Sequence, residues 1–177
     1  KDSGHLKDDN NSTFTCSNTP ALAADAYCMY MAFQKKDGTD IYWAYGTPSE
    51  MKDDGTVDNI FWKNQGKINS IGKQVDGDKY TTNPDTAIGL TLEYANGVFL
   101  LIYVATNTEN NLTQCALNDT GKDSYGQWVG SNTVKVINSH GHSTARSAKA
   151  PALAITEGGG YLLYRGKEHD EIYWAYY

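Results

Sequence analysis

Charge is scarce in this chain, and arginine scarcer still. Only 20% of the 177 residues are Asp, Glu, Lys or Arg, and the formal net charge is −6. The arginines are Arg146 and Arg165 alone. A phosphate backbone demands a basic footprint, so nucleic acid is excluded as a partner. Long apolar runs are also missing. The longest, Val98 to Ala105, has the length of a strand, so no membrane insertion is expected. Cysteine is limited to Cys16, Cys28 and Cys115, at spacings that match no zinc or redox motif. One disulfide with a free thiol, or no disulfide, are both compatible with that count. No window holds helical periodicity, and few segments run far without Gly, Pro, Asn or Asp, so no helix is expected. No secretory leader is present and the chain opens at Lys1, which suggests a mature, processed form or a trimmed one.

Sharp catalytic motifs are absent too, and the chain is read as a non-enzyme. Ser139, His140 and Asp170 can be drawn together on paper, but no nucleophile elbow supports them. Two arginines are too few for the carboxylate-gripping cluster of a sialidase. Paired carboxylates for glycoside hydrolysis stay open, because their separation is a property of space rather than of sequence.

Aromatic residues, by contrast, are abundant. There are 13 Tyr and 4 Trp, and aromatics make up 12% of the chain. Such residues either fill cores or line binding surfaces. Their arrangement is repetitive. Residues 20–45 read PALAADAYCMYMAFQKKDGTDIYWAY, and residues 151–176 read PALAITEGGGYLLYRGKEHDEIYWAY. The two align without a gap and share Pro-Ala-Leu-Ala, a central Tyr, a Lys and the whole Ile-Tyr-Trp-Ala-Tyr run. A weaker copy lies between them, around Pro84 to Ala116. The repeat divides the chain into an arm or edge strand (1–19), two repeats (20–83 and 84–150) and an incomplete third (151–177).

Each copy reads as short strands separated by turns. In the first, Ala21–Ala23, Tyr27–Phe33 and Ile41–Tyr45 are strands, with Asp37-Gly38 as a turn signal. Asn59–Lys63 then carries Trp62. In the second, Ile88–Leu92, Val98–Val104 and Leu112–Leu117 are strands, with the Asn96-Gly97 turn between the first two. Gln127–Val129 carries Trp128 in the place of Trp62. In the third, Ala152–Ile155, the Gly158-Gly159-Gly160 turn, Tyr161–Arg165 and Glu171–Tyr177 follow, without a Trp-bearing fourth strand. Four-stranded antiparallel units repeated at this spacing predict an all-β fold of propeller blades, about three per chain. A sandwich is the competing arrangement. Propellers close with about four to eight blades. A homo-oligomer, most simply a homodimer forming a six-bladed ring, or half of a longer protein, would complete the circle. Residues 1–15 could supply the missing strand.

The run Pro-Ala-Leu-Ala, hairpin, Ile-Tyr-Trp-Ala-Tyr resembles repeats of β-propeller lectins and of sialidase-like propellers. In fucose-binding lectins of that kind an Arg, a Glu and a Trp from neighbouring strands grip each sugar. The resemblance implies Arg165, Glu171 and Trp174 as such a set. The aligned residues of the first copy are Gln34, Asp40 and Trp43, so the Arg is lost there, and in the second copy the Trp position falls near Gln114. What the resemblance implies is therefore a sugar-binding propeller without a defined fucose specificity. Its partners would be glycans or glycoproteins, bound at repeated shallow sites. The alternatives are a non-catalytic protein-interaction propeller that uses every aromatic for packing, or a fragment of a glycoside-processing enzyme.

The residues themselves admit that reading. Side chains alternate along a strand, so Ile41, Trp43 and Tyr45 share one face. An indole there can stack on a pyranose if polar partners stand nearby, or it can pack between blades. Asp40, Glu171 and Arg165 are candidate partners, and Tyr45, Tyr176, Trp62 and Trp128 are further ring platforms. Arg165 offers a planar fork of donors suited to vicinal hydroxyls. His140-Gly-His142 lacks further ligands, and Asp76-Gly-Asp78 and Asp53-Asp54-Gly55 are incomplete as calcium loops, so no metal or other cofactor is implied. Asp123 to Trp128 resembles a degenerate Asp-box turn. Sequons at Asn10, Asn11, Asn111 and Asn118 point to a secreted or extracellular glycoprotein.

Overall fold

Period-two alternation and turn chemistry together place nearly every element. The computed structural model describes residues 5–49, 53, 59–68, 70–71, 81–82, 86–106, 110–119, 125–133, 135–138, 141–156, 158–168 and 170–176. Among these there is no helix, and the chain is all-β.

The first sheet is an antiparallel meander of β1 (Ala21–Ala24), β2 (Met29–Gln34), β3 (Ile41–Pro48) and β4 (Ile60–Lys67). β2 starts at Met29 rather than Tyr27 because the Asp25 carboxylate accepts the backbone N–H groups of Tyr27 and Cys28, both at 2.6 Å. That local turn outcompetes extended pairing. The Asp37-Gly38 turn forms as expected, with Asp37 at φ 62°.

Two short strands, β5 (Ser70–Ile71) and β6 (Thr81–Thr82), join the second sheet, whose main body is β7 (Thr86–Ala95), β8 (Val98–Ala105), β9 (Leu112–Asp119) and β10 (Tyr125–Thr133). β7 to β10 form an antiparallel meander, and β5 pairs parallel to β10. Asn96 and Gly97 take φ of 52° and 77° between the paired residues Ala95 and Val98. Both central residues of the two-residue loop therefore have positive φ, as in the turn that an Asn-Gly hairpin favours.

A hairpin of β11 (Lys135–Asn138) and β12 (Gly141–Thr144) follows. The third sheet is β13 (Ala152–Thr156), β14 (Gly159–Arg165) and β15 (Ile172–Tyr176). Thus the first and third copies match strand for strand through their Ile-Tyr-Trp-Ala-Tyr strands. No fourth strand pairs with β15 among the described residues.

The three sheets stack in chain order. Each has a forward face, turned toward the next repeat, and a rear face. The forward face of the first sheet (Tyr30, Ala32, Ile41, Trp43, Tyr45) packs on the rear face of the second (Leu90, Leu92, Phe99, Leu101, Tyr103, Leu117, Trp128). The forward face of the second sheet (Ile102, Val104, Leu112) packs on the rear face of the third (Leu153, Leu162, Tyr164, Ala175). Strand β7 touches both β1 and β13, so the first strands of the three repeats come together. A buried large side chain contributes roughly 2–3 kcal/mol of burial free energy, so these two interfaces dominate the stability of the stack.

The rear face of the first sheet is closed differently. Met31, Phe33, Ala44 and Trp62 are buried there with Phe14 of the N-terminal arm. Phe14 meets Phe33 edge-on with centroids 5.6 Å apart. The arm is tied to the first sheet by bridges from Cys16 to Lys35 and from Asp8 to Trp62. The described part of the arm therefore covers the first sheet and does not extend the third.

Candidate functional site

The register of the third sheet builds one continuous aromatic surface. Leu163 stands opposite Trp174, Tyr161 opposite Tyr176, and Arg165 opposite Ile172. Ala152 and Ala154 continue the two rows across β13. All of these side chains share the forward face. Tyr161, Leu163, Ile172, Trp174 and Tyr176 are all exposed, and Trp174 is 70% exposed. Tyr161 and Tyr176 meet edge-on at 5.4 Å, and the Tyr176 hydroxyl donates to the Gly158 carbonyl across the hairpin turn. The surface is therefore ordered by its own contacts.

Of the sequence-expected residues, Trp174 and Tyr176 lie on this face, with Arg165 at its edge. Arg165 is already engaged, its guanidinium forming an ion pair with Asp170. Glu171 belongs to the other side. Its carboxylate accepts the Tyr173 hydroxyl at 2.7 Å, and Tyr173 stacks on the rear-face residue Tyr164 at 5.7 Å and 20°. That bond to a carboxylate raises the Tyr173 phenol above its ordinary pKa. The Arg165, Glu171 and Trp174 set is therefore split between the two faces of one sheet. Strand alternation is the reason, since positions 171 and 174 differ by an odd number.

The remaining expected platforms lie in the interior. Trp43 is 8% exposed, stacked parallel to Tyr30 at 6.5 Å and edge-on to Trp128 at 5.9 Å. Tyr45, Trp62 and Trp128 are buried as well. Trp43, Tyr45 and Trp128 therefore pack between the first and second sheets, and Trp62 packs on the rear face of the first while also lining a surface cleft with Leu6 and Phe61. Asp40, immediately before β3, pairs with Lys67 at 2.7 Å at the surface.

Among the described residues no group of His, Cys, Asp and Glu is arranged to hold a metal ion. His140, Ser139, Asp76, Asp78, Asp54, Gly55 and Asp123 lie outside the described residues. Cys16 is an exposed free thiol and Cys115 a buried one. Asn111 of one sequon accepts a hydrogen bond from Arg146 Nε at 3.2 Å.

Comparison of the chain with protein-family models, with curated proteins and with solved structures finds no match. The forward face of the third sheet therefore stands on its geometry alone. Sequence reasoning passed over three of its residues, Tyr161, Leu163 and Ile172. The signal was present in β14, where Tyr161-Leu162-Leu163-Tyr164 is apolar at both parities. A strand that is apolar on both faces asks for cover on both.

Proposed function

We propose that this chain is a non-catalytic interaction module of the β-propeller type, and that the forward face of its third sheet is the surface through which it binds a protein partner. One observation carries the reading. Trp43 and Trp174 occupy the same place in two copies of one motif, yet Trp43 is buried against the second sheet and Trp174 is 70% exposed. The motif's forward face is built to be covered, and in the third copy nothing described covers it. The meeting of β1, β7 and β13 supports blades grouped about a common axis. The chemistry of the face favours protein over sugar. A sugar needs polar partners around a stacking ring, but the neighbours of Trp174 are Leu163, Ile172 and tyrosines, and the nearby charges are spent on Asp170 and Tyr173.

A lectin is the second reading, favoured by the exposure of Trp174 on the same face as Arg165. It would bind glycans or glycoproteins in an extracellular setting. A broad glycan array separates the two, with Trp174→Ala as control. The expected result is a silent array. Specific glycan signals that Trp174→Ala removes, in a variant that stays folded, would overturn the protein-interaction reading and establish the lectin.

A further inference from the structure

We infer that the forward face of the third sheet is covered by the same face of a second copy of this chain, related by a two-fold axis. The inference rests on the interaction reading above and names its partner. Three features of the molecule argue for it.

The first is continuity with an interface the chain already makes. The forward face of the first sheet, with the same Ile-Tyr-Trp-Ala-Tyr strand, is buried against another sheet of this fold. The third sheet presents the same strand, with the larger apolar Leu163 where the first has Ala32, and Arg165 at the edge where the first has Gln34. A β-sheet face is therefore the surface that this motif fits.

The second is size and charge. Aromatic side chains carry about 150–250 Å² each, so the exposed parts of Tyr161, Leu163, Ile172, Trp174 and Tyr176 together offer roughly 600 Å². That sits at the upper end of the largest apolar patch usual on a monomer and approaches the ~800 Å² per partner of a stable complex. The charge nearest the face, Arg165, is neutralised by Asp170. Two copies can meet across a two-fold axis without setting like charges against each other.

The third is the asymmetry of the stack. Its other end, the rear face of the first sheet, is already occupied by Phe14, and Met31, Phe33, Ala44 and Trp62 are buried beneath the arm. Head-to-tail pairing would have to displace the arm. Forward-to-forward pairing displaces nothing and gives a self-complementary, closed dimer, the commonest form of homo-oligomer.

The test is native mass combined with acrylamide quenching of tryptophan fluorescence, on the wild-type chain and on Leu163→Glu and Leu22→Glu. Leu163 and Leu22 are both exposed, on the forward face of the third sheet and the rear face of the first, so both variants are expected to fold. Trp43, Trp62 and Trp128 are buried, so quenching reports mainly on Trp174. The expected result is a species of twice 19.5 kDa, with Trp174 shielded. Leu163→Glu should return it to a monomer with Trp174 quenchable and raise the dimer Kd roughly 100-fold, because a carboxylate would be buried without a partner. Leu22→Glu should leave the dimer intact. A dimer that survives Leu163→Glu, or one that Leu22→Glu dissolves, overturns the two-fold pairing, the latter in favour of head-to-tail assembly. A wild-type monomer with Trp174 quenchable overturns self-pairing and leaves the face open to another protein. A wild-type monomer with Trp174 shielded means the chain covers its own face, and it sinks the interaction reading as well.

Discussion

Trp43 and Trp128 meet edge-on, with ring centroids 5.9 Å apart and an interplanar angle of 82°, across the junction of the first and second sheets. The contact joins the third strand of one repeat to the Trp-bearing fourth strand of the next. Trp174, the equivalent of Trp43, has no such neighbour among the described residues.

The contrast predicts unequal costs for the same substitution. Trp43→Ala should destabilise the fold by about 3–5 kcal/mol, the range for deleting a buried aromatic. Trp174→Ala should change the stability of the monomer by less than about 1 kcal/mol, because it removes little buried surface. Urea unfolding of both variants, at a concentration low enough to hold the chain monomeric, checks this. Equal losses would show that Trp174 is as enclosed as Trp43.

Gly89 lies at φ 149°, and a Cβ added there would stand 2.5 Å from the Cβ of Ala150, at the approach of β7 to the segment before β13. Gly89→Ala should therefore cost at least about 1–3 kcal/mol, from backbone strain and a clash that no side-chain rotation relieves. Gly38 has nothing within 4 Å of a built Cβ. Gly38→Ala should unfold within about 1 kcal/mol of wild type, and thermal melts of the pair give the comparison.

Ser147 is fully buried, and its hydroxyl lies 2.7 Å from the carbonyl of Lys149 and 3.0 Å from that of Arg165. One hydroxyl hydrogen serves these two acceptors, and the oxygen accepts from the Lys149 N–H at 3.3 Å. The side chain thus fastens the segment entering the third sheet to the end of β14. Ser147→Ala leaves those groups short of a partner and should cost about 1–3 kcal/mol. Faster amide exchange at Ala148, whose N–H donates to the Arg165 carbonyl across the same junction, is the local sign to measure. Unchanged exchange there would show that the hydroxyl is not the fastening.

Burial pushes the Cys115 thiol well above its ordinary value of 9.0. As pH rises past about 9, the unfolded chain loses that proton while the folded one keeps it. The folded state then binds more protons, so stability falls with rising pH. Burial of the Tyr164 phenol acts in the same direction at higher pH. Cys115→Ala should flatten the decline between about pH 9 and 10. In native buffer a thiol reagent should modify Cys16 readily and reach Cys115 only on unfolding. Rapid modification of Cys115 in the folded protein would contradict its enclosure.

Much of the fold was legible in the residues. Strands β1, β3, β8 and β14 follow from apolar and β-branched runs, and the Asp37-Gly38 and Asn96-Gly97 turns from residues that tolerate positive φ. These are local preferences, settled within a few residues. The β11–β12 hairpin was not legible, because Lys135 to Thr144 is polar and lacks the alternation that marks a half-buried strand. The later start of β2 was hidden for a similar reason, since it depends on where one carboxylate, Asp25, directs its hydrogen bonds.

The candidate site divides along the same line. The sequence by itself determined that Ile41–Tyr45 and Ile172–Tyr176 are strands, and that Trp43 and Trp174 each share a face with an Ile and a Tyr. That much needs only the two-residue period of an extended chain. Tertiary structure alone decided that the second sheet covers Trp43 and that nothing described covers Trp174. It also decided that Arg165 and Glu171, close in sequence, look out from opposite sides of one sheet. Identical pentapeptides carry identical local preferences, while burial depends on whatever stands across the interface, and for Trp43 that neighbour is 85 residues away, at Trp128.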